Sequence, residues 1–256
     1  MFDLNIEIKI NLDKSKLKKP ILIAGLPGMG LTGKQAVDYL IESLNAFKIS
    51  EIKTPFLTAP AITTHDGIVD DMMSEIYTLY YAKSGDLDLI LFTGATQPPS
   101  AEWQHLLSYR IVEELSKYGI EVIYTLAATP IFTYKWDAQV YGVATSRDLL
   151  ELLRLHGVIP MRGEGMISGM NGLLVGYGKK FGINGAILLG ETYLTNSRDY
   201  IAPLAVLRAL VRILRINVDL TGMESLALEF HKQYMATLAK ATAEKKTDKS
   251  RLGYIS

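Results

Sequence analysis

The chain has no cysteine, which excludes disulfides, thiolate metal sites and a cysteine nucleophile together. It has no net charge either: 27 lysines and arginines balance 27 aspartates and glutamates in 256 residues. No global field therefore draws it to nucleic acid or to an anionic membrane, and neutrality favours self-association over self-repulsion. No apolar run approaches the roughly 20 residues of a membrane helix. The opening MFDLNIEIKINLDKSK alternates apolar and charged residues, with neither the basic start nor the apolar core of a signal peptide. Internal repeats, a G-x-S-x-G elbow and an H-E-x-x-H pair are all missing. These absences predict a cytosolic protein with no nucleic-acid or membrane partner, no cofactor, and no assignable metal or catalytic residue.

What is present suits one large domain, since 48% of residues are hydrophobic. Phe2 to Ile10 alternates like a strand, and PILIAG reads as a buried strand ending in glycine. A helix is predicted from about Leu31 to Leu44, with Val37, Leu40, Ile41 and Leu44 on one face. AFKISEIKTPFL, EIYTLYYA, LDLILFTG, IEVIYTLAA and GAILLGET read as further strands, with helices at Ala101 to Lys117 and at SRDLLELLRLHG. EIYTLYYA, preceded by polar THDGIVDD, also suits an antiparallel or edge hairpin. Nine of the 21 glycines fall between Gly163 and Gly190, a density that serves tight turns or a small-residue helix face. Two helices follow, roughly Arg198 to Arg215 and Met223 to Ala243. Alternating strands and helices imply an α/β fold with a mostly parallel sheet. Residues 1–243 are expected to form the domain, ending in a long amphipathic helix, and 244–256 a flexible lysine-rich tail.

The stretch AGLPGMGLTGKQA approaches two nucleotide-binding patterns. Gly28, Gly30 and Gly33 spell G-x-G-x-x-G, and Gly28, Gly33 and Lys34 spell G-x-x-x-x-G-K. A P-loop needs a hydroxyl after the lysine for magnesium, and Gln35 stands there. A dinucleotide fold needs an acid near the end of the next strand, which reads TPFLTAP. Two readings remain. Gly28, Gly30, Gly33 and Lys34 form an anion site at a helix N-terminus, or the glycines let a strand turn sharply into a closely packed helix.

Other polar residues are scattered. His65, His105, His156 and His231 lie far apart with no metal-ligand spacing. His65, Asp66, Asp70 and Asp71 form a polar cluster, read as an acid/base group or a solvated turn. Glu191 stands at a strand's carboxyl end, where open α/β sheets bind ligands, with Asn171 as a possible neighbour. On the last helix, Met223, Leu226, Phe230, Tyr234 and Leu238 form a stripe that covers either its own domain or a neighbouring subunit.

GLPGMGLTGKQAVDYLI, DLILFTGATQPP, ISGMNGLL and GAILLGET, in that order and spacing across Pro20 to Leu220, resemble the proteasome assembly chaperone family in its archaeal and bacterial branch. The resemblance implies a three-layer α/β/α sandwich similar to the purine nucleoside phosphorylase core. It also implies homo-oligomers, trimer to pentamer, and partnership with proteasome α subunits without enzymatic activity. Some relatives dock through a C-terminal hydrophobic-Tyr-any tripeptide. Here the chain ends in Tyr254, Ile255 and Ser256, with the tyrosine third from the end. Those three residues are the partner-binding candidates the resemblance supplies. The alternative is a small-molecule enzyme or sensor that binds a nucleotide, nucleoside or phosphate at the Gly28 to Lys34 loop.

Overall fold

PILIAG gives strand β1 (Ile21–Ala24), in which every residue is buried. A computed structural model describes residues 6–54, 64–69 and 76–252. From β1 the chain passes through a tight loop into helix α1 (Thr32–Ser43), then strand β2 (Phe47–Lys53). A two-residue hairpin, β3 (Thr64–His65) and β4 (Ile68–Val69), turns at Asp66 and Gly67, both in the left-handed region. Strands β5 (Ile76–Ser84) and β6 (Leu87–Gly94) lead to helix α2 (Ala101–Ser116) and strand β7 (Val122–Pro130). Then come β8 (Val140–Ala144), α3 (Arg147–Leu155), β9 (Ile159–Pro160), α4 (Met170–Lys180), β10 (Asn184–Thr192), α5 (Ile201–Leu214) and α6 (Thr221–Leu252).

Eight strands form one sheet in the order β2-β5-β6-β1-β7-β10-β8-β9. Its centre, β6-β1-β7-β10, is parallel throughout; β5 and β8 run antiparallel to their inner neighbours. Four pairings are parallel and three antiparallel. One apolar core lies between the sheet and α1, α3, α5 and the start of α6, and the other between the sheet and α2 and α4. The molecule is therefore a three-layer α/β/α sandwich. Ser100 caps α2 by accepting from Trp103 N, and Ser146 caps α3 by accepting from Leu149 N.

Three expectations need correction. The first is the opening strand, because residues 6–12 form no ladder. Ile6 is buried and Ile8, Ile10 and Leu12 pack on the α2 core, so the alternation marks a face without a strand partner. The second concerns β8 and β9, which were not expected; β8 is short and carries Gly142, where a Cβ would lie 2.6 Å from Val158. The third is the last helix, whose backbone continues past Ala243 to Leu252. Tyr254, Ile255 and Ser256, like Asp70 and Asp71, lie outside the described residues.

Candidate functional site

The glycines after β1 have separate tasks. A Cβ on Gly25 would lie 2.1 Å from the Gly33 carbonyl oxygen, and one on Gly33 would lie 2.0 Å from that of Leu126. Those two contacts bring the start of α1 against β1 and β7. Gly30 has φ +63°, and its Cβ would lie 2.9 Å from Thr192 Oγ1, so only glycine fits there. Gly28 is different: its backbone is extended, and a Cβ would meet nothing nearer than Gln97 Nε2 at 4.0 Å.

Gln35, which spoils the magnesium pattern, is a tie. Its Nε2 donates to the carbonyls of Gly30 (3.0 Å) and Asp199 (2.7 Å). Asp199 is buried, accepting from Thr192 Oγ1 (2.6 Å) and from Ile201 N (2.8 Å). Lys34 turns along its own helix to both oxygens of Asp38, at 3.0 and 2.8 Å, and Thr93 Oγ1 donates to the same carboxylate. It lines a shallow depression with Thr78, Tyr80 and Thr93.

Gly28 and Gly33 instead face a cavity of about 540 Å³ at the carboxyl ends of β1, β7 and β10, the usual ligand position in such sheets. Gln97, after β6, bridges its two walls: Nε2 donates to the Pro27 carbonyl (2.6 Å) and Oε1 accepts from Met170 N at the start of α4 (2.8 Å). Gly169 permits this, having φ +82° and a Cβ position 2.7 Å from Gln97 Oε1. Asn171 lines the cavity, with Oδ1 accepting from Leu26 N at 3.4 Å.

Glu191 belongs to a neighbouring cavity of about 360 Å³, which shares Thr129, Pro130 and Met161 with the first. Its buried carboxylate accepts from Lys135 Nζ (2.8 Å) and Gln139 N (3.1 Å), fastening residues 131–139 to β10. That hydrogen bond holds the Lys135 ammonium above its usual pKa. On the same segment, Tyr134 stacks on Tyr234 of α6 with ring centres 4.0 Å apart, and its hydroxyl meets His231 Nδ1 at 2.7 Å. Burial pushes the Tyr134 phenol up to about 12.

Of the candidates, Gly28, Gly33 and Asn171 share one cavity, Gly30 lies against Thr192 and Asp199, and Lys34 and Glu191 lie elsewhere. His105 meets Tyr177 and His156 the Leu152 carbonyl, and no metal-binding group of three or more His, Asp or Glu occurs among the described residues. Gln97 escaped the reading of the sequence. Its signal was a lone carboxamide after a buried strand and before two prolines.

Among the described residues no helix is long and apolar enough to cross a membrane. An uncharacterized protein of Methanocaldococcus jannaschii is 28% identical across 100% of this chain and 99% of its own. The crystal structure of Pyrococcus furiosus PbaB, an archaeal proteasome activator, is 29% identical with a TM-score of 0.79, over 92% of this chain and 99% of PbaB. A proteasome-assembly chaperone homologue of Mycobacterium tuberculosis shares the fold, with 21% identity and a TM-score of 0.72 over 86% of this chain and 95% of that one. The pattern of the PAC2 family matches residues 22–238, and the chain belongs to that family.

Proposed function

We propose that this chain is a homo-oligomeric, non-enzymatic assembly chaperone or adaptor of the proteasome, acting in the cytoplasm on the α subunits of an archaeal-type 20S core particle. Likeness to an archaeal proteasome activator along nearly the whole chain supports the class of partner. The observation that carries the reading is the two-sidedness of α6. Met223 and Ala227 are buried against the domain and Phe230 and Tyr234 join the aromatic cluster. On a different face Leu228 and Met235, two turns apart, are 43% and 48% exposed. An apolar stripe on a helix anchored to a rigid body suits a second copy of the chain or a protein partner.

In this reading α6 packs in cis at its start and in trans along the stripe, building a trimer to pentamer. Tyr254, Ile255 and Ser256 then reach the particle. The absence of catalysis is supported by two buried carboxylates, Glu191 at the end of β10 and Asp199 just before α5, both occupied by internal hydrogen bonds. A pull-down with archaeal α subunits tests the proposal: the full chain binds, a chain ending at Lys249 binds less, and no binding by either overturns it.

A further inference from the structure

Among the described residues, the 540 Å³ cavity has no charged side chain in its lining. Lys34 is held by Asp38 and Glu191 by Lys135, each outside it. A phosphate placed there would lose its hydration without meeting a side-chain cation, a costly exchange. The polar groups present are neutral. Asn171 is only 6% exposed, and while its Oδ1 accepts from Leu26 N, its Nδ2 has no partner among the described residues. Gln104 is anchored through Nε2 to the Pro98 carbonyl, which leaves Oε1 as an acceptor.

The sheet adds main-chain groups. Pairing of β1 with β7 ends at Ala24↔Thr125, whereas β10 follows β7 as far as Thr192↔Pro130. Beyond Thr125, the edge of β7 on the β1 side therefore meets no strand among the described residues, and Ala127, Ala128, Thr129 and Pro130 line the cavity. Such an edge alternates donors and acceptors that need partners. Met29, Met161 and Met166 complete the walls, and thioethers adapt to aromatic rings and favour contact with them.

The geometry points to an uncharged heteroaromatic ligand with adjacent donor and acceptor groups on its ring, the nucleobase class, bound as free base or nucleoside. The buried Asn171 amide donates to it, the free edge of β7 completes the pairing, and the methionines cover its face. The site is separate from α6, so it stands or falls independently of the proteasome reading.

Calorimetry on the full chain tests this with adenine, hypoxanthine, uracil and their nucleosides, against inorganic phosphate and the 5′-monophosphates. At least one neutral probe is expected to bind below about 1 mM, one per chain, and its monophosphate about tenfold more weakly. Asn171→Asp keeps the acceptor for Leu26 N and removes the donor, and should weaken binding at least about tenfold. Gly28→Leu, placed where the backbone is extended and the space open, should block the cavity without unfolding the loop. Silence from every neutral probe, tighter binding of phosphate or a monophosphate, or unchanged binding by both variants would overturn the inference.

Discussion

Gly25 and Gly33 touch backbone to backbone: the Gly33 carbonyl oxygen occupies the place of a Cβ on Gly25, 2.1 Å from where that atom would sit. Gly33 meets Leu126 in the same way at 2.0 Å. Neither contact can relax by moving a side chain, so Gly33→Ala should cost at least about 2 kcal/mol. Gly28→Ala should stay within about 0.5 kcal/mol, because its neighbourhood is open. Denaturant unfolding of the two variants makes the comparison, and equal losses would refute the division of labour among the glycines.

Gln97 joins the loop after β1 to the start of α4 through two hydrogen bonds. Gln97→Ala leaves the Pro27 carbonyl and the Met170 amide without it, and should cost about 1–3 kcal/mol. Gly169→Ala should also destabilise, since it clashes with the same carboxamide at a positive φ. Combining them should cost less than the sum, because Gln97→Ala removes the atoms that an alanine at 169 strikes. A thermal-melt double-mutant cycle reads the difference, and full additivity would speak against the bridge.

The centre of the sheet was legible because its strands are buried on both faces and read as apolar runs: Ile21–Ala24, and the middle of Leu87–Gly94, are examples. The edges were not. VYGVA is short and interrupted by Gly142, whose role is to admit Val158 and Leu153, a tertiary demand with no local signature. Residues 6–10 alternate correctly but find no ladder. For the site, loop position and glycine content were visible, whereas side-chain direction was not. Lys34 follows the motif and yet points to Asp38, four residues on, and Gln35 reaches Asp199 across 164 residues of sequence.

Tyr124 gives a test in alkali. Burial raises its phenol to about 12 from the ordinary 10, so the folded chain keeps a proton that the unfolded chain releases. Its contribution is whole below pH 10 and is lost as pH rises from 10 to 12, at most about 2–3 kcal/mol from this group. Tyr124→Phe should therefore flatten the fall in unfolding free energy between pH 9.5 and about 11.5. An unchanged slope would show that the phenol ionises freely in the folded state.

The two faces of α6 should separate by mutation. Tyr234→Ala removes the ring stacked on Tyr134, and should cost about 1–2 kcal/mol and speed hydrogen exchange in α6. Met235→Ser, on the exposed face, should leave the fold within about 0.5 kcal/mol while lowering the oligomer mass in sedimentation. Unchanged mass would remove the stripe as a subunit contact.

The central claim is that this chain is a multimeric partner of a proteasome ring, and native mass spectrometry of the chain with an archaeal 20S core particle tests it most directly. The expected spectrum shows the free chain at a multiple of 28.4 kDa between three and five, and a particle whose added mass is that multiple. A lone 28.4 kDa species beside an unaltered particle, at concentrations well above micromolar, would contradict it.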